Sequence, residues 1–252
     1  MIEHYPDRRR PTELLVLQLI AETAVLVTLA TPAQAAGADV FSIGLIYIDP
    51  HSTSGPLTLT QFGDQPVDQP QAGTGVRLRP ATTLLLSYEH YWSDHLATQL
   101  ALGVPPTHEL EGTGTLSSSG VLGKGQQLSP AILMRWHFFD ADAVLRPFLG
   151  LGVNYTWFRR SRITNDAFRA AFYGPNATTD VSASPSWNPV YSAGIDYRLD
   201  HRWSIGLSLA YAPLKTRITV DADNTAYGVP IRVVTDLRMR TWVGGMILGY
   251  RF

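Results

Sequence analysis

"TWVGGMILGYRF" (241–252) sets two unlike faces against each other. Taken in steps of two from its end it gives Phe252, Tyr250, Leu248, Met246, Gly244 and Trp242; the set between is Arg251, Gly249, Ile247, Gly245, Val243 and Thr241. Successive side chains of a β-strand point to opposite faces, so this strand has one large, aromatic face and one mostly small face. Soluble domains usually solvate their termini, whereas this chain stops on a phenylalanine. The expectation is that Phe252 sits on the lipid side of a strand that closes a barrel.

The same alternation recurs along the chain. "FSIGLIYI" (41–48), "LLLSYEHYW" (84–92), "LATQLALGV" (96–104) and "AILMRWHFF" (131–139) all carry it. So do "PFLGLGVNYTWF" (147–158), "VYSAGIDYRL" (190–199) and "WSIGLSLAYA" (203–212). With the last segment there are eight, each close to the roughly 9–11 residues that cross a bilayer at a tilt. "WSDH" (92–95), "DADAV" (140–144) and "LDHR" (199–202) are short polar turns. The other connections, 49–80, 105–127, 163–187 and 218–234, are long and rich in Gly, Pro, Ser and Thr. Tight turns at one end and long loops at the other predict an all-β fold, an eight-stranded antiparallel transmembrane β-barrel with short periplasmic turns and long external loops. Trp92, Trp136, Tyr197, Trp203 and Tyr250 fall toward the short turns, where an interfacial girdle lies. A soluble lipocalin-type barrel would turn these large residues inward. Its outside would then be built of Ser204, Gly206, Ser208 and Ala210, too small and uncharged for a water-facing coat.

Export is written at the start. Arg8–Arg10, the apolar run Ala24–Ala30 and small residues at Ala33 and Ala35 predict a signal peptide over 1–35 and a barrel over 36–252. Taking the leader's three arginines and four acids from the whole-chain 20 and 21 leaves 17 of each. That balance gives no footprint for nucleic acid. The absence of cysteine excludes a small disulfide-stapled scaffold. The seven histidines have no paired-ligand spacing, so no metal and no cofactor are expected.

The inward residues sort by height. Glu89, Arg135, His137, Asp196, Arg198 and Arg251 lie toward the short turns, and Leu85, Ala101, Leu133, Val190, Val243 and Ile247 lie higher. Charge inside a membrane-depth barrel is costly unless paired, so a network of Glu89 and Asp196 with Arg135, Arg198 and Arg251 is expected, plugging the lower half. The upper half then offers an apolar lumen. A guest held above such a plug leaves sideways through a break in the ladder, and proline, which cannot donate to the ladder, marks where one can occur. Pro105, Pro106 and Pro130 place that lateral opening between the third and fourth strands, with Pro185 and Pro189 marking a second candidate at the sixth.

"RPFLGLGVNYTWF" (146–158), "GIDYRLDHRWSIGLSLAY" (194–211), "SPAILMRWHF" (129–138) and the final "GYRF" together resemble the outer membrane protein W family from about Phe41 to Phe252. The resemblance implies an integral outer-membrane barrel of Gram-negative cells whose apolar interior passes small hydrophobic molecules. It also implies a constriction at Trp187 facing Ala101, which stands where the family carries a leucine. Trp187 shares the outward parity of Tyr191, so turning it inward requires a bulge near Pro189.

The partners expected are membrane lipids, lipopolysaccharide and small hydrophobic molecules, for a monomer. A barrel that only displays its loops to phage, host or lipopolysaccharide is the second reading. An outer-rim enzyme is the third, with His108, Glu109 and Ser117–Ser119 as its only loosely suitable group; no spacing there fixes a triad.

Overall fold

The computed structural model of the chain describes residues 37–252, and the expected leader lies outside them. In chain order the strands are β1 (Asp39–Asp49), β2 (Ser52–Ser54), β3 (Leu57–Phe62), β4 (Gln65–Gln71), β5 (Thr74–Leu78), β6 (Ala81–Tyr91), β7 (Leu96–Gly103) and β8 (Thr107–Gly114). They continue as β9 (Val121–Leu128), β10 (Ala131–His137), β11 (Leu145–Ile163), β12 (Thr179–Ala183), β13 (Ser186–Arg198), β14 (Trp203–Asn224) and β15 (Val229–Arg251). Among the described residues one α-helix, α1 (Asp166–Tyr173), precedes β12, with Asn165 capping it through the Phe168 N–H at 2.9 Å.

Eight strands close into a ring. Each neighbour is antiparallel in the order β1, β6, β7, β10, β11, β13, β14, β15, and β15 returns to β1 with Phe41 opposite Tyr250 and Leu45 opposite Met246. The predicted alternation is what the ring displays. Phe41, Ile43, Leu45, Leu149, Leu151, Leu207 and Met246 stand out from the wall, Leu45 being 59% and Leu151 58% exposed. This apolar band lies between two aromatic girdles. Trp203 and Tyr250, 4.9 Å apart, and Trp92 and Trp136 mark the short-turn end. Tyr211 and Trp242, also 4.9 Å apart, and Tyr155 and Trp187 mark the other.

The long connections are not loops. Segment 49–80 holds β2 to β5, 105–127 holds β8 and most of β9, and 218–234 is the far end of a hairpin in which β14 and β15 run 22 and 23 residues. They build a second storey beyond the upper girdle. Its partners are distant in sequence: Leu237 pairs with Ser54 and Val233 with Leu59, and the Leu57 N–H donates to Thr74 Oγ1 at 2.9 Å. Leu57, Val76, Leu116, Leu122, Phe168, Tyr173, Leu237 and Met239 are all buried in its core. Each such side chain taken out of water contributes about 1.5–3 kcal/mol. The lipid-embedded storey gains nothing comparable on its outer face and rests on its backbone ladder.

Inside the ring, glycine makes room for the few large residues. A Cβ on Gly194 would lie 2.3 Å from the Phe148 ring and 2.3 Å from the Leu207 carbonyl oxygen. Phe148 is 2% exposed and lies beneath the Arg135 guanidinium, 3.4 Å from ring centroid to carbon, so it has nowhere to retreat. Gly194→Val is expected to destabilise the barrel by about 1–3 kcal/mol, as overpacking does. The fraction migrating as the compact, heat-modifiable form after refolding would fall below wild type under identical conditions.

Candidate functional site

Three cavities are stacked along the barrel axis. The lowest, about 80 Å³, lies at the short-turn end among Glu89, Tyr91, Arg135, Arg146, Asp196 and Arg251. The middle one, about 150 Å³, lies at membrane depth, and the uppermost, about 80 Å³, fills the second storey.

The floor of the middle cavity is a buried ion cluster. Arg135 donates to Glu89 Oε2 at 2.6 Å, and His137 Nε2 lies 2.8 Å from Glu89 Oε1. Asp196 Oδ2 stands 3.9 Å from Arg135 and 3.8 Å from the other nitrogen of His137. Arg198 and Arg251, expected in this network, do not join it. Arg198 points down and donates to the Ala141 carbonyl in the turn at 3.3 Å, and the Arg251 guanidinium sits 5.9 Å over the Tyr91 ring. Both leave the strands at the very rim, where water and turn carbonyls satisfy them more cheaply than a buried acid. The reading of the sequence left out Arg146 and Phe148, both buried and inward. Their parity with Gly150 and Gly152 on the same strand was the available signal.

The apolar residues assigned to the lumen, Leu85, Ala101, Leu133, Val190, Val243 and Ile247, all line the middle cavity. They share it with hydroxyl and amide groups, among them Gln99, Asn154, Thr156 and Ser192, so the chamber is mixed rather than purely apolar. The uppermost cavity is the more apolar one, walled by Leu57, Leu78, Leu122, Phe158, Phe168, Ile218 and Leu237. Its segments have no usable periodicity of their own, because each strand finds its partner far away in the chain. Between the two chambers stand Leu214, which lines the middle cavity, and Leu237 and Met239, all at most 4% exposed.

The wall is interrupted beside the middle cavity. β7 and β10 pair from Leu96 opposite Trp136 to Ala101 opposite Ala131 and stop. Two steps on in that register, at the next hydrogen-bonding position, Gly103 and Ser129 make no backbone hydrogen bond, and the following link is the Gln127 N–H to the Pro106 carbonyl at 3.1 Å. Pro105 and Pro130 lie within the unpaired stretches, Pro106 at their upper limit, and Gly103, Pro106 and Ser129 line the cavity. β13 shows a second interruption on its β14 side, from Tyr191 opposite Tyr211 up to the Ser184 N–H bonded to the Arg217 carbonyl. On its lumen side Val190, Ala212 and Leu133 pack together in one buried cluster.

Comparison with known proteins places the chain that carries this arrangement. The model of the OmpW family matches residues 40–252. The chain belongs to the OmpW family. It is 26% identical over 240 residues to outer membrane protein W of Vibrio cholerae, covering 93% of this chain and 99% of that one. The crystal structure of the outer membrane protein OprG from Pseudomonas aeruginosa superposes with a TM-score of 0.73 at 25% identity, covering 86% of this chain and 96% of OprG. A protein named for a dibenzothiophene metabolism operon, PahQ of Pseudomonas aeruginosa, is 29% identical over 133 residues, 53% of this chain and 56% of its own length. Membership settles the location: this is an integral barrel of the Gram-negative outer membrane, in contact with its lipids.

The constriction that the family resemblance implied at Trp187 is not formed. β13 keeps unbroken register with β11 from Tyr197 to Ser186, with Pro189 opposite Val153, so no bulge there reverses parity. Trp187 therefore points outward, 67% exposed, with its ring 4.9 Å from Tyr155 in the upper girdle. Ala101 does line the cavity, and above it lies the buried leucine and methionine layer on β14 and β15. The residues considered for an enzyme are not assembled either. His108 is fully buried and its Nδ1 meets the Arg79 carbonyl at 2.9 Å, Glu109 accepts from Arg79 at 2.8 Å, and Ser117–Ser119 form a short 3-10 turn.

The ion cluster gives the first test at this site. Glu89→Ala leaves Arg135 buried without its carboxylate and is expected to cost about 3–5 kcal/mol. Glu89→Gln with Arg135→Met removes both charges and should recover most of that loss. Urea midpoints of the refolded barrels in detergent order the three proteins.

Proposed function

We propose that this OmpW-family barrel is a channel for small hydrophobic molecules, which enter the apolar upper chamber, pass the layer of Leu214, Leu237 and Met239, and leave sideways between β7 and β10. The observation that carries the reading is the interrupted ladder at Gly103 and Ser129, placed beside a cavity whose floor is shut by Glu89, Arg135 and His137. Downward passage would drag an apolar guest through a buried ion cluster, whereas the seam offers Leu102 and Val104, both more than two-fifths exposed to the lipid side. Gly103 adds no side chain to block the way. No chemical step is asked of the protein, and selection is by size and polarity.

Magnitudes fit weak, reversible occupancy. A dry cavity of roughly 150 Å³ holds one benzene-sized guest, and the middle chamber has that volume. Each guest CH₂ removed from water contributes about 0.8 kcal/mol, enough to draw in a short alkyl chain without trapping it. The name of PahQ, with dibenzothiophene in it, points to the same chemical class of guest.

Two measurements test the reading. A hydrophobic fluorescent probe should bind the refolded barrel saturably, and a Leu133→Arg, Val243→Arg double variant that still migrates as a folded barrel should lose most of that signal. Equal signal from both, or none from either, would leave a barrel that only displays its outer storey. Amide exchange should be faster at Gly103 than at Ala101 by at least tenfold, and equal strong protection of the two would close the lateral exit.

A further inference from the structure

Basic side chains are concentrated on the outer wall just above the upper girdle. On β11 the first outward position beyond Trp157 is Arg159, followed by Arg160 and Arg162. On β15 the first outward position beyond Trp242 is Arg240, followed by Arg238, and on β14 Lys215 stands two outward positions beyond Tyr211. All six are exposed, and among the described residues none lies within ion-pair distance of an acid. The neighbouring acids are already engaged: Asp236 by Arg217 at 2.7 Å, Glu109 by Arg79 at 2.8 Å, and Asp49 by His51 at 3.1 Å. Further out the balance changes, with Arg232 paired to Asp221 and with Asp180 and Asp223 nearby.

The register makes this arrangement costly by itself. Lys215 lies directly opposite Arg238, and Arg162 directly opposite Lys124. Like charges in direct cross-strand pairs repel and destabilise a sheet. The register also slips by one residue between Arg159 and Arg162, with Arg160 at φ 51°, a left-handed conformation unusual for arginine. Such a bulge re-aims side chains, and here it leaves three arginines of a four-residue run exposed. An anion lying between the basic residues would relieve both repulsive pairs, and guanidinium forks suit the oxygens of phosphate.

From these positions we infer that the wall from β11 round to β15 is a docking surface for a phosphorylated outer-leaflet lipid, the lipid A portion of lipopolysaccharide. The lipid's phosphates sit on Arg159, Arg160 and Arg162 and on Lys215, Arg238 and Arg240, and its acyl chains lie against the apolar band below. The source is a lipid because the basic row begins one outward step above the aromatic girdle that marks the hydrocarbon boundary, on the continuation of the lipid-facing wall. Arg162 also borders the uppermost chamber, but the other five residues line none of the three cavities, so the surface stands whether or not the channel reading does.

The test uses the full refolded barrel in neutral detergent with deep-rough lipopolysaccharide, counting bound lipid by native mass spectrometry. Wild type should retain the lipid at moderate salt. The Arg159→Gln, Arg160→Gln, Arg162→Gln variant and the Lys215→Gln, Arg238→Gln, Arg240→Gln variant should each weaken retention at least tenfold, while Arg217→Gln with Asp236→Asn, which removes a matched pair, should not. The same lipid stripped of phosphate should bind wild type as weakly as the intact lipid binds the triple variants. Folded triple variants that retain lipid like wild type would overturn the inference, as would equal retention of the dephosphorylated lipid. Displacement of the lipid by inorganic phosphate at equal concentration would overturn its assignment to a lipid. Should a triple variant fail to fold, single Arg159→Gln and Arg240→Gln proteins keep the question open to the same counts, with unchanged retention in both refuting it.

Discussion

Every backbone N–H and C=O at membrane depth must find its partner within the barrel, because hydrocarbon offers none. The ring meets that demand by closing through one junction that is remote in sequence, β1 with β15. Closing eight strands leaves an interior only wide enough for side chains. Small inward residues follow from that: Gly150, Gly152, Gly194, Gly206 and Gly245 each face atoms that a Cβ would meet at 2.5 Å or less. So does the economy of the floor, where one phenylalanine, two acids, an arginine and a histidine fill the section and satisfy most of one another's charge. An ion pair at this depth is held by geometry, since its desolvation cancels much of its attraction.

The two storeys answer to different forces. Below the upper girdle the outer surface is greasy, the ladder is nearly unbroken, and hydrophobic burial contributes little. Above it, β3, β5, β8, β9 and α1 fold against water around Leu57, Phe168, Tyr173 and Leu237, as any soluble domain does. The interrupted seam falls where the regimes meet. A missing ladder bond at Gly103 would be expensive at the bilayer centre and is far cheaper near the interface, where water and headgroups can reach the freed groups. Proline at 105, 106 and 130 makes the interruption permanent, because no N–H exists there to restore it.

Much of this was legible in the residues. Period-two alternation survives in sequence because each membrane strand has lipid on one side and a narrow lumen on the other, so the eight strands, their turns and the inward set from Leu85 to Ile247 could be read directly. Glu89 with Arg135 could be read too, since inward parity and scarcity of charge leave few pairings. The second storey could not. Its strands bury faces against partners such as Leu59 with Val233, 174 residues away, and a short segment like "QPVDQPQ" (65–71) has no periodicity to betray a strand. Trp187 stands outward as its own parity requires; only the family likeness placed it inward, on condition of a bulge that β13 does not have. The bulge at Arg160 left no trace in composition, and only the register showed that "RRSR" (159–162) turns all its arginines out.

The charged floor and the broken wall are best understood together. A lumen open at the bottom would let water through to the periplasm and would leave Leu133, Val190 and Val243 lining a wet pore, with no gain for an apolar guest. If the barrel passes apolar guests as proposed, a sealed floor removes the through-going water path, so such a molecule gains by entering from water and loses little by moving on into lipid of similar polarity. On the proposed route, direction would need no energy source, because the bilayer is the larger apolar reservoir and a guest leaving through the seam would be diluted into it. The wall residues that remain, Ala101 and Ala131 beside Gly103, are the smallest available. On this reading the barrel works as a short apolar bypass of a polar leaflet, and its selectivity is set by the layer of Leu214, Leu237 and Met239 that a guest must part before it reaches the seam.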